Sequence, residues 1–107
     1  MYAYEKEILT QIIRLLKERF AEKIVAVYAI GLRVRGDFYD WSDFDLLLIL
    51  KNKNPKTEKE IISVLVDEEV KYGISFTPVI KDIKAFALEQ KFHTPFYENV
   101  MKEGMSL

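Results

Sequence analysis

Trp41-Ser42-Asp43-Phe44-Asp45-Leu46-Leu47-Leu48-Ile49-Leu50 is the stretch on which the fold turns. Its second half is an apolar run unbroken by charge, the pattern of a buried strand. Its start carries two carboxylates one residue apart. Successive side chains of a strand point to opposite faces, so Asp43 and Asp45 share a side, roughly 6.5–7 Å apart along the chain. Two like charges on one edge of a buried strand repel each other and lose hydration. A divalent cation is the usual compensation.

Working outward, Ile24-Val25-Ala26-Val27-Tyr28-Ala29-Ile30 is a second, β-branched run. It reads as a strand buried on both faces and ends at Gly31. Ahead of it, Ile8, Ile12, Leu15 and Leu16 recur at helical spacing, and Leu9, Ile13 and Phe20 widen the stripe. That pattern predicts an amphipathic helix from about Tyr4 to Ala21. Leu32 to Ser42 lacks clean periodicity and reads as a short helix or turn followed by a loop. Downstream, Lys51-Asn52-Lys53-Asn54-Pro55 is a turn. Thr57 with Glu60 has the capping-box spacing and opens a helix carrying Ile61, Ile62, Leu65 and Val66. Gly73 stops that helix near Tyr72. A third strand is expected over Ile74 to Ile80, where Pro78 indicates an edge position or a bulge. Asp82 to Gln90 reads as a helix, and Pro95 and Gly104 bracket a last short one. The apolar tail Met105-Ser106-Leu107 is suited to extend a sheet edge or meet a partner. The expectation is one domain over residues 1–107, α/β or α+β, a small mixed β-sheet with helices packed on it.

The chain has 107 residues, of which half are hydrophobic and 31% charged, with a net charge of −1. That balance, with lysines and acids interleaved, carries no strong nucleic-acid signal. Zero cysteines exclude a disulfide scaffold and a thiolate zinc site, and one histidine excludes a multi-histidine metal site. Met1 is followed by Tyr-Ala-Tyr-Glu-Lys-Glu, with charge where a signal peptide needs its apolar core. The run Leu46 to Leu50 is far short of the ~20 residues that cross a bilayer. A cytoplasmic protein without a membrane segment is the expectation.

A glycine that ends a strand and opens a turn lets a phosphate approach backbone N–H groups. Arg33 and Arg35 add fixed positive charge just beyond Gly31. If the two apolar strands are neighbours, the turn and the acid pair lie side by side, one for phosphate and one for metal. Phosphoryl-type transfer needs that division. Gly31-Leu32-Arg33-Val34-Arg35-Gly36 followed by Ser42-Asp43-Phe44-Asp45-Leu46 resembles the signature of the DNA polymerase β-like nucleotidyltransferase superfamily. That signature is Gly-Ser, ten residues, then Asp-x-Asp. The ending Pro95-Phe96-Tyr97-Glu98-Asn99-Val100 with Glu103-Gly104 is similar to the minimal nucleotidyltransferases. The resemblance implies a palm-like fold and an NTP substrate, ATP foremost. It implies Mg²⁺ on Asp43 and Asp45 as catalytic and metal-binding residues, and nucleotide phosphates on Gly31, Leu32, Arg35 and Ser42. It further implies an antitoxin whose acceptor is a tyrosine of a small helical HEPN-type toxin.

Two positions depart from the family pattern. Leu32 stands where the family has serine, and Ser75 stands where a later strand usually supplies a third carboxylate. A catalytically degenerate protein that neutralises its partner by binding alone is therefore the alternative. Plainer roles exist for most other residues. Arg33 and Arg35 can pair with Asp37 or Asp40, a contribution of ~0–1 kcal/mol at an exposed site. His93 suits a surface or cap role, and Trp41 either stacks on a base or packs under the loop. Phe92, Phe96 and Tyr97 read as core or dimer contacts, and Lys51, Lys53 and Lys56 as a solvated turn. The sequence leaves the oligomeric state open, a homo-oligomer included.

Overall fold

The stretch Phe44–Leu50, apolar without a break from Leu46 onward, becomes an interior strand with a neighbour on each side. A computed structural model describes residues 3–30 and 44–107. Its elements are α1 (Ala3–Arg19), β1 (Ile24–Ile30), β2 (Phe44–Leu50), α2 (Pro55–Tyr72), β3 (Phe76–Asp82), α3 (Ile83–Lys91), α4 (Pro95–Glu103) and β4 (Met105–Ser106). The strands lie in the order β3-β2-β1-β4. β1 runs antiparallel to β2 and β4, and β3 runs parallel to β2. The sheet is therefore mixed, as expected. Pro78 sits on the edge strand β3, where one missing ladder donor is tolerated.

Period-two alternation sorts β2 into two faces. Phe44, Leu46, Leu48 and Leu50 point into a core with Val27 and Ala29, closed by Ile8, Leu9, Ile12, Ile13 and Leu16 of α1 and by Ile61, Val64 and Leu65 of α2. Leu47 and Ile49 point the other way. They meet Val100 of α4, with Tyr28, Ile30, Val79, Phe86 and Phe96 half-buried around them. Helices thus cover both faces. Leu46, Leu47, Leu48 and Leu50 expose no surface. Each contributes about 1.5–3 kcal/mol relative to an exposed position.

Three local expectations are corrected. β1 is not buried on both faces, because the ladder to β2 slips between Ile24 and Ala26. Val25, skipped in the register, turns toward solvent at 43% exposure. α2 begins at Pro55 and is capped by Asn54, whose Oδ1 accepts the Thr57 N–H at 2.9 Å. Thr57 is itself buried, its hydroxyl accepting from Lys23 Nζ at 3.4 Å. β3 starts two residues later than expected, because its pairing with β2 begins at Phe44 opposite Phe76. The Ser75 carbonyl accepts the Phe44 N–H at 2.9 Å just before that pairing begins. The tail joins the sheet: Met105 and Ser106 pair with Ala29 and Tyr28, and the Leu107 N–H reaches the Val27 carbonyl. Among the described residues, no helix is long and apolar enough to cross a membrane.

Candidate active site

Asp45 is the second residue of β2, with Ile30 opposite it on β1 and Thr77 opposite it on β3. Its neighbours Phe44 and Leu46 face the α1–α2 core, so alternation turns Asp45 to the α3–α4 face. It is half-buried there. Two strand ends meet at this point. β1 stops at Ile30, one residue before Gly31, and β2 starts two residues after Ser42. The neighbouring strands on which the sequence argument depended are therefore present.

A cavity of about 230 Å³ opens beside Asp45, lined by Ile30, Asp45, Phe96, Asn99, Val100 and Glu103. Four of these residues come from α4. Their spacing of three, four and seven puts them on one helix face. Val100 is the buried anchor of that face, at 2% exposure. Phe96 is held from β3 by Lys81, whose ammonium lies 4.4 Å from the ring centroid and is ion-paired with Glu89. A larger cavity of about 500 Å³ is lined by α1, Ala21 and Leu107. It contains neither Asp45 nor any strand residue, so its size does not make it the site.

Gly31, Leu32, Arg33, Arg35, Trp41, Ser42 and Asp43, all singled out in the sequence, lie outside the described residues. The described part of the predicted site is Asp45. Neither Ser75, just ahead of β3 and bonded to the Phe44 N–H, nor Thr77, opposite Asp45 on β3, is an acid. His93 is exposed and bonded through Nδ1 to Glu98 Oε1 at 2.7 Å, the surface role expected of it. Lys51, Lys53 and Lys56 are exposed, and Lys53 pairs with Glu58 at 3.6 Å. Phe96 packs against the second core, while Phe92 is 68% exposed. Sequence reasoning quoted Asn99 and Glu103 in the C-terminal resemblance but gave neither a place in the site. Their signal was present: both fall on the helical stripe of Phe96 and Val100, where polar side chains interrupt an inward face.

The donor chemistry suits a hard cation. Mg²⁺ is held by one or two carboxylates with substrate phosphates completing its shell. Asp45 supplies one such carboxylate from the described residues. Among the described residues, no group of three or more His, Cys, Asp or Glu side chains could hold a metal ion.

Known proteins agree with this architecture. A crystal structure from Sulfolobus solfataricus, provisionally titled a nucleotidyltransferase, superposes with a TM-score of 0.52 at 20% identity. The match covers 80% of this chain and 70% of that one and speaks for the fold. Two chains of Methanocaldococcus jannaschii, each bearing the provisional name of a protein adenylyltransferase, align in sequence. One is 25% identical over 85 residues, covering 77% of this chain and 58% of the relative. The other is 23% identical over 103 residues, covering 96% and 97%. The model of the family described as the nucleotidyltransferase domain matches residues 9–105, from α1 to β4. With a mixed sheet carrying a strand-tip aspartate and a match over nearly its whole length, the chain belongs to the nucleotidyltransferase domain family.

Proposed function

We propose that this protein transfers a nucleoside monophosphate from an NTP, ATP foremost, to a hydroxyl acceptor. The observation that carries the reading is Asp45: a half-buried carboxylate between two paired strands, on the wall of a cavity, in a chain of this family. Asp45 and Asp43 act as the metal-binding and catalytic carboxylates. Backbone N–H groups at Gly31 and Leu32, the Arg35 guanidinium and Ser42 bind the phosphates. Mg²⁺, when bound, supplies charge neutralisation on the triphosphate. The sheet's part is to hold Asp45 rigidly, since β2 is paired on both sides along its length. The names borne by the two Methanocaldococcus relatives support a protein acceptor. A tyrosine of a small helical HEPN-type partner is the acceptor implied by the minimal-nucleotidyltransferase resemblance.

The test is incubation with Mg²⁺, ATP labelled on the α-phosphate and the product of the neighbouring gene. Label should pass to that protein, and Asp43→Ala with Asp45→Ala should abolish transfer without unfolding the chain. Failure of the folded wild type to bind MgATP at millimolar concentration refutes the reading. The absence of an acid at Ser75 and at Thr77 favours one rival, neutralisation by contact alone. Survival of partner neutralisation in the doubly substituted protein would establish that rival.

A further inference from the structure

We propose that the outward face of α2 is the seam of a homodimer in which two copies of this chain pack their α2 helices antiparallel. α2 buries Ile61, Val64 and Leu65 in the core, as an amphipathic helix should. Its other side is apolar as well. Ile62 is 43% exposed, Val66 48% and Val70 83%. Apolar residues scattered singly over a surface are ordinary. These three are aligned: each follows the last by four residues, so they form one continuous ridge. At 1.5 Å of rise per residue the ridge is about 12 Å long. Its centre, Val66, stands roughly 140–160° around the helix from Ile61 and Val64. The core therefore cannot use it.

The charges beside the ridge identify its occupant. The adjacent row is Lys59, Ser63 and Asp67, all exposed. It is basic at one end, small in the middle and acidic at the other. Among the described residues, neither Lys59 nor Asp67 has an ion-pair partner. Two copies related by a two-fold axis at Ser63 satisfy the row twice over, because Lys59 of each meets Asp67 of the other. The short Ser63 side chain meets its own copy and lets the helices approach. The same alignment sets Ile62 against Val66 of the other copy. It sets Val70 against the exposed Pro55 and the stem of Lys56. A parallel pair would put Lys59 beside Lys59 and Asp67 beside Asp67, so charge selects the antiparallel arrangement. The acidic end has room for an incoming ammonium. A cleft of about 330 Å³ lies between α2 and the end of α1, lined by Glu60, Ser63 and Asp67 with Arg19 and Phe20. Two carboxylates against one guanidinium leave it net negative.

α2 packs on the sheet face opposite the one to which Asp45 turns. Two copies joined through α2 therefore leave the cavity beside each Asp45 uncovered. A single pair of crossing helices buries less than the ~1,600 Å² of a standard interface, so the dimer belongs to the weak class and forms with concentration.

Sedimentation of the full chain over about 10 μM to 1 mM should show its mass rise from 12.6 kDa toward twice that value. Val66→Glu should keep the chain monomeric throughout. Lys59→Glu and Asp67→Lys should each weaken the dimer about tenfold or more, since each sets like charges together at two places. The chain carrying both substitutions, and an equimolar mixture of the two single variants, should recover the wild-type constant within about threefold. The chain has no cysteine. Ser63→Cys therefore gives one thiol at the two-fold axis, and mild oxidation should cross-link it. Val70→Cys, more exposed but roughly 20 Å from its own copy, should cross-link far more slowly. Circular dichroism checks that each variant is folded. A wild-type chain monomeric at every concentration overturns the proposal and leaves the ridge to a different protein. So does a dimer untouched by Val66→Glu, which places the seam elsewhere. Single charge variants that associate as well as wild type overturn the antiparallel arrangement, as does Val70→Cys cross-linking faster than Ser63→Cys.

Discussion

Gly104→Ala should be among the most damaging single-methyl additions in this chain. The backbone at Gly104 has φ −74°, which any residue adopts, so the reason is steric. An added Cβ would stand 2.5 Å from the Val100 carbonyl oxygen and 3.1 Å from Ile30 Cγ2. Ordinary contact begins near 3.4 Å, so the new Cβ and the Val100 carbonyl must part by about 0.9 Å, and the helix end and β1 by about 0.3 Å. Overpacking of that kind costs about 1–3 kcal/mol. Disturbing the Gly104-to-Val100 hydrogen bond adds about 0.5–1.5 kcal/mol. The sum, about 1.5–4.5 kcal/mol, corresponds to a fall in Tm on the order of 6–18 °C for a domain of this size. Gly73 is the control, because its φ of 68° is left-handed and its Cβ position is open. There Ala should cost about 1–2 kcal/mol through backbone strain, and Asn less. At Gly104 the order should reverse, with Asn no better than Ala. Urea unfolding with fitted midpoints and slopes gives both comparisons. A Gly104→Ala loss below about 0.5 kcal/mol with unchanged slope, well under the overpacking range, would refute this close packing of Gly104 on Val100 and Ile30.

Asn54→Ala should cost about 1 kcal/mol by removing the acceptor for the Thr57 N–H at the start of α2. An unchanged urea midpoint would return the capping role to Thr57. The Asp82 carboxylate accepts the backbone N–H of Lys53 and of Lys84, and these bonds hold its carboxyl below the ordinary aspartate range. A depressed folded value means stability that is full above the unfolded value, about 4, and is lost as pH falls through the folded one. Asp82→Asn should therefore weaken the protein at pH 7, with the deficit narrowing progressively below about pH 4. Equal deficits at pH 7 and in acid would contradict that.

Most strand and helix positions were legible because they rest on local pattern. Phe44–Leu50 and Ile24–Ile30 have the observed bounds of β2 and β1. Gly73, Pro95 and Gly104 punctuate the helices as their backbone chemistry requires. The errors fell where two local signals competed or where pairing had the last word. Asn54 and Thr57 both had capping chemistry, and Pro55 at the first helical position decided between them. The start of β3 depended on its register against β2, a long-range quantity that no window of sequence contains. The slip that exposes Val25 likewise belongs to the ladder between two strands.

Asp45 was legible for the same reason as its strand. A carboxylate at the head of an unbroken apolar run is conspicuous in one dimension. The place of Asn99 and Glu103 beside Asp45 was not, because nothing local says which helix face meets which sheet face. Alternation determined that Asp45 and Leu46 point to opposite sides. The tertiary structure decided which helix stands over Asp45. The reason is geometric. Sequence periodicity sets the direction of a side chain relative to its own backbone. Its partner across a cavity is set by how sheet and helix pack, here through Val100, Gly104 and Ile30, residues up to 74 positions apart in the chain.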